Sequence, residues 1–263
     1  MNFQVFSSMG DAARRGLEGL GYGCALLVES IYWLLLGRRY GQVVSAAPIA
    51  AQIMEVGVRA IPIVAVLSFA IGVSLAIQLI FSLSEFGAES KSVFAIAKAV
   101  TREFGPLITG ILVAGRTASA LAARIGSMVV SQEVDALRVI GVNPVRYLAA
   151  PPLLALLVMM PILTILADTS AIIGGAFYSL NLLQLDWWAY LMISLDSLTQ
   201  NDIMQGLQKS LVFGVIIAVV GVSSGFSVVG GAEGVGQATT RAVVSAISWI
   251  VIADMVFTYF QNR

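Results

Sequence analysis

Six ionisable side chains interrupt stretches of this sequence that are otherwise apolar. They are Arg102, Glu103, Arg116, Asp168, Lys209 and Asp254. A charged group in an apolar surrounding is costly, so it is expected to pair with another charge or to serve a function. The sequence has no histidine, which excludes imidazole catalysis and the usual zinc sites. The chemistry open to these residues is charge recognition, ion pairing or proton transfer.

Arg102 and Glu103 are adjacent and stand just before Gly105-Pro106. Proline removes a backbone donor and tends to kink a helix. The pair forms either a local structural ion pair or part of a binding site, and the residues alone favour neither reading.

The two aspartates stand deeper in apolar segments. We expect Asp168 and Asp254 to make structural hydrogen bonds or to pair with Arg116, in preference to relaying protons. No catalytic residues, metal site or cofactor are expected.

Composition places the chain in a membrane. It is 58% hydrophobic and 11% charged over 263 residues, with a mean hydropathy of +0.90, whereas soluble domains carry about 25% charged residues. The net charge is zero, so nucleic acid is not an expected partner. The single cysteine, Cys24, excludes an internal disulfide. The N-terminus lacks the pattern of a cleaved signal peptide and is expected to stay attached.

The sequence predicts an all-α integral membrane protein with five transmembrane helices, since a helical span needs about 20 apolar residues. The five spans are predicted at 61–83, 93–118, 149–180, 209–230 and 242–260. Residues 1–60 are predicted to form interfacial helices ahead of a five-helix domain at 61–263. A sixth span at 20–36 is the alternative, but that segment is short and contains Glu29.

Arginine placement predicts the orientation. Arginines precede the first span and lie between spans two and three, whereas residues 181–208 carry three aspartates and no Lys or Arg. We therefore expect a cytoplasmic N-terminus and a cytoplasmic segment at 120–147, with residues 181–208 and the C-terminus on the other side of the membrane. Lys91, in a short outer loop, is the one residue that counts against this orientation.

Small residues recur every fourth position along the second span, which gives a helix one continuous ridge of short side chains. The ridge consists of Gly110, Ala114, Ala118, Ala122 and Gly126. It serves either packing within the chain or a subunit interface.

A polar segment separates spans two and three. It reads SMVVSQEVDALRVIGVNPVRY, residues 127–147. Its spacing predicts a helix within this segment, with Val134, Leu137, Val139 and Ile140 on a partial apolar face. Asn143-Pro144 is predicted to end it. The chain has no phosphate-binding loop of the Walker type, so it is not expected to hydrolyse ATP itself.

Three stretches carry a family resemblance. They are TREFGPLITGILVAGRTASALAARIGSM at 101–128, EVDALRVIGVNPVRYLAAPPLLA at 133–155 and GVGQATTRAVV at 234–244. Together they resemble the MlaE/YrbE permeases of ABC lipid transporters. The resemblance implies a homodimeric permease of the inner membrane that moves lipid, typically phospholipid, between the inner and outer membranes. It also implies a cytoplasmic ATPase, a periplasmic MCE-domain protein and a STAS-type protein as partners.

The resemblance also assigns residues to roles. The helix at 131–141 would couple to the ATPase, and its candidate contacts are Gln132, Glu133, Asp135, Leu137 and Arg138. The lipid site would include Arg102 and Glu103, with Lys209 nearby. Lipid tails need apolar walls, and Leu75, Leu79 and Phe81 of span one are candidates for them; the alternative is that these three form plain lipid-facing surface. The family commonly has Glu-Gln where this chain has Gln132-Glu133, and often a basic residue at Val129.

Two other functions compete with a lipid permease. A membrane scaffold without a cargo path would use the same small-residue ridge, but it would gain nothing from Arg102 and Glu103. A secondary transporter driven by Asp168 and Asp254 would be expected to show inverted repeats, and the sequence shows no convincing one.

Overall fold

The computed structural model describes residues 19, 21–34, 36 and 46–261. Every regular element in these residues is helical. Helix α1 covers residues 21–34, and the others are α2 (Ala46–Val56), α3 (Ile61–Ser84), α4 (Ser92–Ala99), α5 (Gly105–Val113), α6 (Ser119–Val130), α7 (Glu133–Val139), α8 (Pro144–Leu148), α9 (Ala150–Leu183), α10 (Trp187–Ser197), α11 (Gln200–Phe226) and α12 (Gly231–Gln261).

Five helical runs are long and apolar enough to cross a membrane, which confirms the predicted all-α membrane architecture. They are Ala47–Ser84, Glu89–Val130, Pro144–Leu183, Gln200–Phe226 and Gly231–Gln261, numbered spans one to five below. Helix α1 is not among them. Several runs are longer than predicted; the second continues to Val130 because the polar residues after 118 remain helical.

Close contact between backbones joins spans one and three. A side chain at Gly72 would overlap the carbonyl oxygen of Ala171, and one at Gly174 would overlap that of Phe69. Membrane helices associate through such small-residue crossings. In lipid there is no hydrophobic driving force between helices, so close packing of backbones takes its place. These glycines fix where the two helices cross.

The small-residue ridge of span two lies inside the chain, and all five of its members are buried. A side chain at Gly110 would meet Phe213 of α11, and one at Gly126 would meet Val228. Ala118 packs closely against Gly221. The ridge therefore packs against span four, and any part in a subunit interface remains a prediction.

Span two contains two π-helical segments, Val100–Phe104 and Ala114–Ala118. After the first segment the amide of Gly105 bonds to the carbonyl of Val100, five residues earlier. Pro106 supplies no amide to continue the regular pattern. π-Helical turns are rare and occur mostly at functional sites. The first segment carries Arg102 and Glu103 and the second carries Arg116; they are called the outer and inner π segments.

The two ends of the bundle differ. One end, called the α10 end, contains α10. This helix packs against α9 through Tyr190, whose hydroxyl donates to the carbonyl of Ile172 at 3.1 Å. Burial raises the pKa of Tyr190 to about 12. The other end, called the α7 end, contains α7, α8 and α1. Glu29 of α1 accepts a hydrogen bond from Asn143 at 2.8 Å. The charge within α1 thus has a polar partner.

Two details of the predicted 131–141 helix are wrong. The helix covers only Glu133–Val139, because Gln132 adopts a left-handed conformation before it and Gly141 does so after it. Asn143-Pro144 begins a helix and does not end one. The Asn143 side chain accepts hydrogen bonds from the amides of Val145 and Arg146 and so caps α8.

Candidate functional site

A buried ion-pair network lies beside the outer π segment. Lys209 of α11 is fully buried, and its Nζ donates to Glu103 Oε2 at 2.5 Å and to Thr258 Oγ1 at 3.1 Å. The same Nζ lies 3.0 Å from Asp254 Oδ1, a close ion pair. The ammonium group thus has two hydrogen-bond acceptors and one further ion-pair partner within the chain.

Arg102 takes part in a second set of contacts, with residues one to two turns before Lys209 on α11. Its Nε lies 3.0 Å from Asp202 Oδ1 and 3.0 Å from Gln205 Oε1. Lys98 completes the set, with its Nζ 3.7 Å from Asp202 Oδ2. Within the described residues, the two terminal nitrogens of the Arg102 guanidinium have no protein partner. Its side chain is 30% exposed.

Local sequence explains why these side chains meet. Asp202, Gln205 and Lys209 follow each other at helical spacing on α11, which places them on one face. Thr199 and Asp202 form a capping box that fixes the start of that helix. A side chain at Gly206 would overlap the carbonyl of Thr101, so the face lies directly against the outer π segment.

The formal charges of the network cancel. Lys98, Arg102 and Lys209 face Glu103, Asp202 and Asp254. Among these, the fully buried cation is Lys209, while Arg102 and Glu103 remain about one-third exposed. The arrangement can therefore hold Arg102 in place and present its free nitrogens to an anionic group.

The structure brings together four of the six residues singled out in the sequence: Arg102, Glu103, Lys209 and Asp254. The expected pairing of Asp254 with Arg116 is wrong, because Asp254 pairs with Lys209. Arg116 lies thirteen residues beyond Glu103 on the same span, so it is remote from this network.

Asp168 joins neither the network nor Arg116. Its Oδ1 is buried without a hydrogen-bond partner among the described residues. A side chain at Gly105 would collide with it, so this carboxyl lies against the backbone that follows the outer π segment. The structural hydrogen bond expected for Asp168 is absent from the part of the chain that the structure describes.

Sequence reasoning missed four members of the network: Lys98, Asp202, Gln205 and Thr258. Each lies three to seven residues from a residue already singled out, on the same helix. Helical spacing to Arg102, Lys209 and Asp254 was the signal that could have identified them.

The residues predicted to contact lipid tails divide into two groups. Leu75 and Leu79 are partly buried and pack against a cluster that includes Ile96 and Val100. Phe81 is 70% exposed and lines a cavity of about 700 Å³ at the α10 end, where Leu182 and Ile193 form another part of the wall. Phe81 is therefore the better placed of the three to contact a lipid tail.

The predicted coupling residues differ in their exposure to solvent. Gln132, Glu133, Asp135 and Arg138 are exposed on α7, with Arg138 Nη1 bonded to Asp135 Oδ1 at 2.8 Å. Leu137 instead packs with the buried Val134 against the chain itself. Val139 and Ile140, at the end of the helix, are 87% and 71% exposed.

Comparison with known proteins identifies the family. The family model described as Permease MlaE matches residues 49–260. The chain belongs to the MlaE permease family. The match includes the network of spans two, four and five and the whole of α7.

Several relatives cover most of the chain. A probable ABC transporter permease protein of Rickettsia typhi is 36% identical over 207 residues, which is 79% of this chain and 80% of the relative. A probable ABC transporter permease protein of Synechocystis is 36% identical over 211 residues, or 80% of each chain. The chloroplastic protein trigalactosyldiacylglycerol 1 of Arabidopsis thaliana is 36% identical over 218 residues, or 80% of this chain and 60% of the relative.

Family and architecture together establish the general role. The chain is a multi-pass ABC transporter permease, and such a permease implies a partner ATPase.

Proposed function

We propose that this permease moves lipid, and phospholipid in particular, and that Arg102 binds the lipid phosphate. The carrying observation is the Arg102 side chain, which Asp202 and Gln205 hold by its Nε while its terminal nitrogens have no hydrogen-bond partner among the described residues. A guanidinium fork suits phosphate because it donates two parallel charge-assisted hydrogen bonds.

Glu103 and Lys209 act as positioning residues in this proposal. Lys209 is fully buried and occupied by its partners, so it does not contact a headgroup itself. By pairing with Glu103 and Asp254 it ties spans two, four and five together beside Arg102. This is a different role from the direct lipid contact that the family resemblance suggested for Lys209.

Alpha-helix α7 is proposed to transmit the ATPase movement. Val134 and Leu137 anchor the helix to the chain, while Val139 and Ile140 present an unpartnered apolar tip. An exposed apolar tip beside charged residues favours protein docking. Movement of α7 would be passed to α6 and span two, since α7 follows α6 after a two-residue turn.

A homodimer accounts for a polar stripe on span five. Gln237, Thr240, Arg241 and Ser245 follow one another along α12 and line an open groove of about 740 Å³. Lipid tails are a poor surrounding for such side chains, so a second copy is the proposed neighbour. In a Cys24→Ser background, cysteine at position 240 should give a disulfide-linked dimer on mild oxidation; purely monomeric protein would contradict this arrangement.

The cellular setting is proposed from the family: the inner membrane, a cytoplasmic N-terminus, a periplasmic C-terminus, an MCE-domain partner outside and a STAS-domain partner inside. Lipid would pass between the inner and outer membranes. The membrane scaffold remains the second candidate function, since the packing of small residues would serve it equally.

Lipid transfer by the reconstituted permease–ATPase complex tests the proposal. Arg102→Gln should lower ATP-dependent phospholipid transfer by about tenfold or more, the equivalent of losing one charged hydrogen-bonding group. Lys91→Gln, an equal charge change on an exposed turn at the α10 end, is the matched control. Transfer by an assembled Arg102→Gln complex equal to that of wild type would overturn the phosphate role. Absence of transfer by the assembled wild-type complex would favour the scaffold.

A further inference from the structure

Two further arginines line a cavity at the α7 end that the proposed transport path does not use. The cavity lies between α2, α6 and the start of α9 and has a volume of about 210 Å³. A smaller pocket of about 30 Å³ adjoins it through shared lining residues. Those shared residues are Gln52, Glu55, Leu121 and Arg124.

Arg116 lines the smaller pocket from the inner π segment. Its Nη1 is buried and has no hydrogen-bond partner among the described residues. A buried charged donor without an acceptor is costly. The chain holds this guanidinium beside a cavity, and no carboxylate among the described residues forms an ion pair with it.

Arg124 supplies a second guanidinium two turns further along the same helix. It lines both parts of the cavity, where the one carboxylate is Glu55. Neither arginine forms an ion pair with Glu55 in the described part of the chain. With two guanidinium groups and one carboxylate, the lining has a formal charge of +1. Gln52 and the Tyr147 hydroxyl add neutral hydrogen-bonding groups.

We propose that this cavity binds the phosphate group of a glycerophospholipid from the leaflet at the α7 end, with Arg116 and Arg124 as donors. Two forked guanidinium groups lie around one small cavity. They match the several oxygens of a phosphate better than they match the two oxygens of a single carboxylate. The choice of a lipid as the source rests on the proposed function; the phosphate chemistry rests on the arginines alone.

The cavity also has the surroundings that a leaflet lipid requires. Its wall includes Pro48, Ala51 and Pro151, and α2 leads from it towards α3 within span one. Met54, one turn along α2, is 57% exposed, so apolar surface continues outside the polar cavity. A phospholipid could place its phosphate among the arginines while its tails stay against the helices.

Site-specific photocrosslinking tests the inference with the full chain in phosphatidylcholine nanodiscs that contain radiolabelled phosphatidylglycerol. A benzophenone amino acid replaces Tyr147, which is exposed and lines the cavity. The double variant Arg116→Gln/Arg124→Gln should lower capture of the labelled lipid by about tenfold or more. Arg59→Gln, an equal charge change on an exposed residue between α2 and α3, should leave capture unchanged. Glu55→Gln should raise it.

Further arms separate the sources of phosphate and the two proposals. Labelled diacylglycerol, which lacks phosphate, should be captured weakly, and millimolar inorganic phosphate should not displace the phospholipid. Displacement by inorganic phosphate would overturn the lipid source. Capture by the double variant equal to that of wild type would overturn the site. Arg102→Gln should not affect capture at position 147, so failure of the transport proposal would not be mistaken for failure of this one.

If the double variant does not fold, two milder variants keep the test decisive. Arg124→Gln alters an exposed side chain, and Arg116→Lys keeps the charge but loses the fork. Either should lower capture at least severalfold, and unchanged capture by both would contradict the proposal.

Discussion

The two π segments of span two hold arginines in opposite conditions. At the outer segment Arg102 is fixed by Asp202 and Gln205, next to a lysine that two carboxylates neutralise. At the inner segment Arg116 has a buried nitrogen without a partner among the described residues. Span two thus presents a guanidinium that is held by neighbouring side chains near the α10 end, and one without a described partner for its buried nitrogen near the α7 end. The difference separates an arginine that the chain itself positions from one whose buried nitrogen has no acceptor among the described residues.

The largest effect is expected from breaking the outer network at its buried cation. Lys209→Met leaves Glu103 and Asp254 uncompensated and should lower the free energy of unfolding by about 3 kcal/mol or more. Unfolding in mixed micelles with increasing dodecyl sulfate measures this loss. Adding Glu103→Gln and Asp254→Asn to Lys209→Met should restore most of the stability; a triple variant as unstable as the single one would show that charge is not the cause.

A double-mutant cycle at Gly105 and Asp168 tests how tightly the outer segment is packed. The new Cβ of Gly105→Ala would collide with the Asp168 carboxyl, so we expect a loss of about 1–3 kcal/mol. Asp168→Ala should relieve that collision and make the second substitution nearly neutral. Strictly additive losses in the same unfolding assay would rule out the contact.

A substitution that keeps charge separates geometry from electrostatics at Arg102. Arg102→Lys retains the positive charge but not the fork, so phospholipid transfer should fall severalfold, to a level between wild type and Arg102→Gln. Stability should change little, because the residue is one-third exposed. Transfer equal to that of wild type would mean that a point charge suffices.

The smallest stability effect is expected at the inner segment. Arg116→Gln removes a charge that the described chain does not pair, so unfolding in lipid-free detergent should change by less than about 1 kcal/mol or become slightly harder. The same substitution in phosphatidylglycerol nanodiscs should be destabilising if the lipid phosphate is its partner. Equal changes with and without this lipid would remove the contrast between the two segments.

The architecture was largely predictable because spans depend on runs of apolar residues. Five such runs stand in the sequence, and the structure has five corresponding helices. Their ends were less predictable, because helices continue beyond the apolar zone. At α7 the boundary depends on two left-handed residues, Gln132 and Gly141. Glycine at 141 is a recognisable signal, whereas glutamine at 132 gives none.

The members of the outer network were predictable as costly charges, but their partners were not. The sequence suggested Arg116 as a partner for Asp254, whereas Lys209 pairs with it in the structure, because the choice depends on how spans two, four and five are arranged. Asp202 and Thr258 could be linked to the site only once those helices were in contact. Hydropathy and spacing describe each helix separately and do not specify which faces meet.

Crosslinking beside Arg102 tests the central claim most directly. A benzophenone amino acid at Phe104, which is 36% exposed on the outer π segment, would report lipid at that site in the assembled complex. We predict capture of phosphatidylglycerol that falls about tenfold or more in Arg102→Gln and is unchanged in Lys91→Gln. Absence of capture, or capture that does not depend on Arg102, would contradict the account.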